Sequence, residues 1–296
     1  MTAIRLQNEQ HWHELRAKNI GGSEVAALFG ESSFMTKFEL WHRKAGNLLE
    51  PDLSNNSRVF WGKQLESSIA QGIAQLKGWT IRNVDEYLTS QTIEGMAASL
   101  DYEIDDSEKG TGVLEIKNVD GFQFLNWPDN KPPLSYQLQL QHQLAVSGHK
   151  WGVIAVLVGG NDPKEYYFDR HDEAIAAIEH AIQCFWVSIA NGEAPSPDFY
   201  ADSASVMALN IHTGTDIIHL EDDALAELCA RYCAASEQEK QAKNVKDATK
   251  AEAITKIGDA SEVFVGNFKI KTFTGKSTEK RKASRTVRIT EVNNEQ

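Results

Sequence analysis

Apolar and polar positions alternate most strictly over residues 96–104. There Met96, Ala98, Leu100, Tyr102 and Ile104 interleave with other residues, which predicts a β-strand carrying Asp101 on the face opposite that set. Residues 105–112 are rich in Asp, Ser, Lys and Gly, as a turn requires. Alternation resumes over 113–118, with Glu115 and Lys117 on one face and Leu114 and Ile116 on the other. The two segments read as a hairpin whose pairing brings Asp101 and Glu115 together.

Helical spacing dominates elsewhere. Residues 12–16 form a short helix, and after Asn19-Ile-Gly-Gly-Ser23 a second runs from Glu24 to Phe29 and stops at Gly30. Ser23 is either a plain N-cap or part of an anion site made with backbone N–H groups. A helix follows at 38–46, a loop at 51–56, then a longer helix at 58–77 with Leu65, Ile69, Ile73 and Leu76 as its buried stripe. Glu66 lies on the margin of that stripe, where a carboxylate needs a metal or an arginine to offset its burial. Residues 136–144 alternate like a strand but consist of good helix formers, so a helix is expected, with Tyr136, Gln139 and Gln143 on one face. Residues 151–158 form a wholly apolar strand, 165–168 a second, and 172–190 an amphipathic helix ended by Asn191-Gly192. This order implies an α/β fold with a mixed sheet.

Composition shifts after residue 198. Residues 220–256 are rich in Ala, Glu and Lys with an apolar stripe of Leu225, Leu228, Cys229 and Tyr232, and 263–273 and 285–289 alternate like an antiparallel pair. The expected division is a core over 1–198 and, over 199–296, a helical appendage with a terminal β-hairpin.

At 296 residues and 41% apolar the chain can bury a sizeable core. It has no run of membrane-spanning length and no signal-peptide apolar region at its start. Three cysteines without a C-x-x-C pair fit a reduced, cytoplasmic protein, with Cys229 and Cys233 packing on one helix face. A net charge of −12 means that any groups contacting phosphates must be local. Residues 262–296 hold eight Lys and Arg against four Glu, either a DNA-contacting tail or a solvated end.

The residue types in the hairpin carry chemistry. Asp101, thirteen residues, Glu115-Ile-Lys117 supplies two carboxylates for a hard cation such as Mg²⁺ and a lysine beside it. Such a metal acidifies a bound water and stabilises charge building on a phosphate, while the lysine orients the water or offsets the anion. A solvated hairpin with ordinary surface charges has the same pattern, so further residues must decide.

They do. Arg16-Ala-Lys-Asn-Ile-Gly-Gly-Ser23-Glu-Val, Trp61-Gly-Lys-Gln-Leu-Glu66, Ser99-Leu-Asp101, Leu114-Glu115-Ile-Lys117 and Tyr136-Gln-Leu-Gln139-Leu-Gln141 occur in this order. On these stretches, over about residues 10–197, the chain resembles the phage lambda exonuclease family, or YqaJ-like viral recombinases, a branch of the PD-(D/E)xK nucleases. The first motif residue lacks a preceding proline, a common departure in that superfamily. The resemblance implies a restriction-endonuclease-like core with a central mixed β-sheet flanked by helices. It implies Asp101, Glu115 and the Ile116 carbonyl as metal ligands, Lys117 as the residue positioning water and Glu66 as an accessory carboxylate. Arg16 and Ser23 correspond to a pocket for a 5′-terminal phosphate, and Tyr136 and Gln139 to a helix face lining the site. The implied activity is Mg²⁺-dependent 5′→3′ degradation of linear duplex DNA, with Mn²⁺ substituting and two ions per site, leaving 3′ single strands for an annealing protein in phage-type recombination. The implied assembly is a homotrimeric ring around DNA in the cytoplasm of a bacterial host. Rival readings are a structure- or sequence-specific endonuclease on the same core and a non-catalytic DNA-binding partner.

Overall fold

The most apolar stretch of the chain pairs with the strand that carries Glu115 and Lys117. In a computed structural model of the protein, which describes residues 1–212, 214–274 and 285–291, two strands, Gly110–Val119 (β6) and Trp151–Val158 (β7), run parallel inside a five-stranded sheet. Two more, Thr80–Asn83 (β2) and Tyr102–Asp106 (β5), extend it on one side and Asp162–Asp169 (β8) on the other, all antiparallel to their neighbours, in the order β2-β5-β6-β7-β8. Because β7 is covered on both faces it reads as a continuous apolar run. Its Val153 and Ala155 join Leu114 and Ile116 against Ile69, Ala70 and Ile73 of the helix Ser57–Lys77 (α4). Its Ile154 and Val156 face the other way, in one core with Leu140 and Leu144 of Leu134–Ser147 (α6), which follows the short helix Gly121–Leu125 (α5), and with Ile178 and Ile182 of Asp172–Asn191 (α7). A mixed sheet flanked by helices is the architecture expected of the sequence.

Several local expectations are corrected. Residues 96–104 are not one strand. Ala97–Ser99 (β4) pairs with Glu86–Thr89 (β3), which pairs with Thr2–Arg5 (β1), in a separate three-stranded sheet. The chain changes sheets at Leu100 and Asp101, and alternation survives because both halves stay extended. On α4, Leu76 is 71% exposed, and Ala70 and Ala74 complete the buried stripe instead.

His142 of α6 is fully buried with Nε2 2.8 Å from the Ala97 carbonyl oxygen. Burial pushes its pKa down to about 4, the carbonyl opposing only in part. The unfolded chain therefore binds more protons than the folded one between about pH 6.5 and 4, and about 3 kcal/mol of stability is lost as pH falls through that window. Denaturant melts at pH 7 and pH 4 are expected to show this loss. His142→Gln, which keeps a donor for Ala97, is expected to remove that share of it; an unchanged slope in the variant would exclude His142 as the cause.

The chain divides into two compact units, Met1–Thr213 and Gly214–Gln296, beyond the 198/199 boundary that composition suggests. The added segment stays with the first unit because Asp202, 2% exposed, accepts hydrogen bonds from Thr36 Oγ1 and the Asp198 N–H. Asp202 immediately precedes the short helix Ser203–Leu209 (α8).

The second unit holds a 35-residue helix, Asp223–Ile257 (α9), with no buried residue. Its expected apolar stripe is exposed, and Cys229 and Cys233, expected to pack, are exposed free thiols. The expected hairpin is a three-stranded antiparallel sheet of Glu262–Val265 (β9), Phe268–Thr274 (β10) and Arg285–Glu291 (β11). Gly266, at φ 53°, turns the chain inside what reads as one strand, a backbone region that costs glycine little. Lys276, Lys280, Arg281 and Lys282 of the basic loop lie outside the described residues. Among the described residues, no helix is long and apolar enough to cross a membrane.

Candidate active site

Where the chain leaves one sheet for the other, its carboxylates converge. The ladder between β5 and β6 begins at Tyr102 opposite Leu114, which leaves the Ile116 N–H without a strand partner. Asp101 takes it, accepting on Oδ2 at 2.8 Å. In such a ladder the N–H and C=O of one residue face the same neighbour, so the Ile116 carbonyl faces the same gap.

One residue back, Glu115 points to the opposite face from Leu114 and Ile116 and is 2% exposed. Its Oε1 accepts from Lys117 Nζ at 2.5 Å and Gln139 Nε2 at 2.6 Å, and its Oε2 from Gln143 Nε2 at 2.6 Å. Lys117 Nζ also donates to Gln139 Oε1 and lies 5.0 Å from the centre of the Tyr136 ring. The helix face of Tyr136, Gln139 and Gln143 is thus laid along the β6 carboxylate. Gln143 shares that face by its spacing, but nothing in the sequence showed that it would meet Glu115.

The electrostatics are those of crowded anions. Burial, then Glu115, then Glu66 push the Asp101 carboxyl well above its ordinary pKa, against Lys117 and the Ile116 N–H. Half-buried Glu66 on α4 is raised by burial and by Glu115. Burial opposes the Lys117 ammonium, but Glu115 and Asp101 outweigh it and hold its pKa above the usual lysine value. Three carboxylates therefore face the Lys117 ammonium, with Lys63 acting on Glu66 alone, and hard oxygen donors in that excess suit a divalent ion. Among the described residues no three His, Cys, Asp or Glu side chains are grouped as a ready ligand set. Mg²⁺ needs only one or two carboxylates with waters and phosphate oxygens, so the donor set fits.

A second polar cluster adjoins the first. Arg16 lies in the last turn of the helix Glu9–Ala17 (α1), and its guanidinium sits 5.0 Å from the centre of the Trp12 ring. It donates to Ser23 Oγ and Glu24 Oε1, each at 3.2 Å. Ser23 is not the N-cap. Gly21 caps the seven-residue helix Gly22–Leu28 (α2), its N–H held by Glu24 Oε2 at 2.9 Å. A Cβ on Gly22 would lie 3.2 Å from Gln139 Cγ and 3.6 Å from Gln143 Cγ. That glycine therefore lets α2 lie against the glutamines that hold Glu115. Trp12 Nε1 lies 3.4 Å from Ser99 Oγ, two residues before Asp101. The structure thus places Asp101, Glu115, Ile116, Lys117, Glu66, Tyr136 and Gln139 around one point, with Arg16 and Ser23 beside it. Glu24, and Lys44 behind it, were not singled out by the sequence.

Residues 11–150 match the YqaJ-like viral recombinase domain. Over 275 residues the chain is 28% identical to the Uncharacterized protein YqaJ of Bacillus subtilis (strain 168), a match spanning 88% of this chain and 82% of that protein. Among solved structures it is similar to an alkaline exonuclease (LHK-Exo) from Laribacter hongkongensis, at 19% identity, covering 67% of this chain and 99% of that one with a TM-score of 0.49. A phage related exonuclease from Haemophilus somnus 129PT is similar at 14% identity, over 59% of this chain and 96% of that one, with a TM-score of 0.44.

Proposed function

We propose, for a chain whose residues 11–150 match the YqaJ-like viral recombinase domain, a divalent-metal-dependent deoxyribonuclease that resects linear duplex DNA from its 5′ ends. The observation that carries this reading is the convergence of Asp101, Glu115, Glu66 and Lys117 beside the Arg16–Ser23 cluster. Such an enzyme leaves 3′ single strands for recombination and works with a single-strand annealing protein. A homotrimer with an acidic exterior around a locally basic bore reconciles DNA binding with the net charge of −12.

Asp101, Glu115 and the Ile116 carbonyl would hold Mg²⁺, or Mn²⁺ in its place, which supplies an acidified water and neutralises charge on the scissile phosphate. Gln139 and Gln143 fix the Glu115 carboxylate from both oxygens, so its lone pairs are aimed before substrate arrives. Lys117, held charged by its neighbours, is a donor rather than a base, suited to orienting the attacking water and offsetting the growing anion. The Tyr136 ring supports that ammonium from one side. Arg16 and Ser23 offer a guanidinium and a hydroxyl to a terminal phosphate, which makes a free end part of the recognised substrate.

The test is Mg²⁺-dependent digestion of a linear duplex with 5′-phosphates beside a covalently closed circle. Shortening of the linear DNA from its 5′ ends with the circle intact is expected. Nicking of the circle would replace this reading with an endonuclease, and cleavage of neither with a binding protein. Arg16→Ala is expected to slow digestion of 5′-phosphorylated ends about tenfold or more, the worth of a hydrogen bond to a charged group. Its effect on 5′-hydroxyl ends is expected to be small, and equal loss on both would remove the phosphate pocket.

A further inference from the structure

We propose that Glu24 and Lys44 are positioning residues that hold Arg16 ready for a terminal phosphate monoester; this rests on the phosphate-pocket reading of Arg16 above. Lys44 ends the helix Lys37–Lys44 (α3), and its side chain is 0% exposed. Its Nζ lies 2.9 Å and 3.0 Å from the two Glu24 oxygens, 2.7 Å from the Arg16 carbonyl oxygen and 2.9 Å from that of Asn19. A single ammonium therefore grips Arg16 twice. It grips the backbone directly, at the Arg16 carbonyl, which also accepts from the Asn19 N–H, and at the Asn19 carbonyl just past the end of α1. It grips the guanidinium through Glu24, whose Oε1 accepts from Arg16 Nε at 3.2 Å.

Charge gives the arrangement its purpose. A carboxylate beside a phosphate pocket is unfavourable if it is free to face the phosphate. Glu24 is not free. Its side chain is 3% exposed, and both oxygens are occupied by Lys44, Arg16 and the Gly21 N–H. Burial works against its ionised form, but Arg16 and Lys44 outweigh that and hold its pKa low. Within this hydrogen-bonded trio two cations and one anion leave one positive unit, with Glu50 acting on Lys44 from outside it, and Arg16, 28% exposed, brings that unit to the surface. A phosphate monoester carries nearly two negative charges at neutral pH, against one for an internal phosphodiester, so a fixed positive unit favours the chain end. Trp12 beneath the guanidinium and Ser23 beside it leave little freedom in the remaining directions. A merely structural ion pair would need neither the contact to the Arg16 carbonyl nor an outlet to solvent through Arg16.

The experiment compares kcat and KM on linear duplexes carrying either a 5′-phosphate or a 5′-hydroxyl. The variants are Arg16→Ala, the charge-balanced double variant Glu24→Gln with Lys44→Met, and the milder Lys44→Gln. Removing both partners together avoids leaving one buried charge unpaired. In the double variant the phosphate-to-hydroxyl preference in kcat/KM is expected to fall at least about tenfold, toward that of Arg16→Ala. The loss is expected through KM for phosphorylated ends, with kcat on hydroxyl ends kept, and Lys44→Gln is expected to fall between. An unchanged preference in folded variants would overturn the positioning role, as would equal loss on both substrates with an early thermal melt. If Arg16→Ala keeps the wild-type preference, the phosphate pocket itself falls and this proposal with it.

Discussion

Asp101→Asn is expected to abolish metal-dependent cleavage while leaving the fold as stable as the parent or more so. The carboxyl is crowded by burial, by Glu115 and by Glu66, and its pKa is pushed well up. For an acid, a folded-state pKa above the unfolded value means that the ionised form weakens the fold. That penalty grows as pH rises through the ordinary carboxylate pKa and is complete above the folded one. Asparagine removes the charge but keeps an oxygen for the Ile116 N–H, so the loop between β4 and β5 retains its anchor. In the proposed nuclease, catalysis would depend on the charge that the fold resists, and its loss is expected to cost about a thousandfold or more. The check pairs thermal melts in EDTA with digestion rates in Mg²⁺. A lower melting temperature, or cleavage within tenfold of the parent, would show that Asp101 is there for structure.

That opposition explains what was and was not legible in the chain. The strand bearing Glu115 and Lys117 alternates with period two, and residues 151–158 are wholly apolar; both formed as read. β1, β2 and β3 are four residues each, too short to establish a period, and went unseen. The change of sheet at Asp101 leaves no trace in the pattern because the chain stays extended on both sides, yet it is what opens the gap beside Ile116. Asp101, Glu115 and Lys117 stood out from a solvated hairpin only in company with the Arg16–Ser23, Trp61–Glu66 and Tyr136–Gln141 stretches. Glu24 and Lys44 are charges on short helices, where in sequence they look like solvated surface. Only packing α2 and α3 together shows that they are buried on each other. Leu76 misled in the opposite direction, since its spacing fits the stripe but its side chain is left 71% exposed.

Lys117→Met is expected to match the loss of cleavage and to reverse the effect on stability. Methionine fills similar space against Tyr136 and removes the charge together with the hydrogen bonds to Glu115 and Gln139. Glu115, 2% exposed, would then keep its two glutamine amides and lose its ammonium. Breaking a buried ion pair from one side costs about 3–5 kcal/mol, and the remaining amides are expected to hold the loss to about 2–3 kcal/mol in EDTA. Adding Mg²⁺ is expected to raise the melting temperature of this variant more than that of the parent. The ion then answers anions that Lys117 no longer offsets, and binding to the folded state alone stabilises it by mass action. If Mg²⁺ shifts both proteins equally, the ammonium and the metal do not share these carboxylates, and Lys117 belongs to packing. If Asp101→Asn and Lys117→Met are both inactive but move stability in opposite directions, one site holds a surplus of negative charge partly balanced by one lysine. A solvated hairpin with ordinary surface charges would give neither shift.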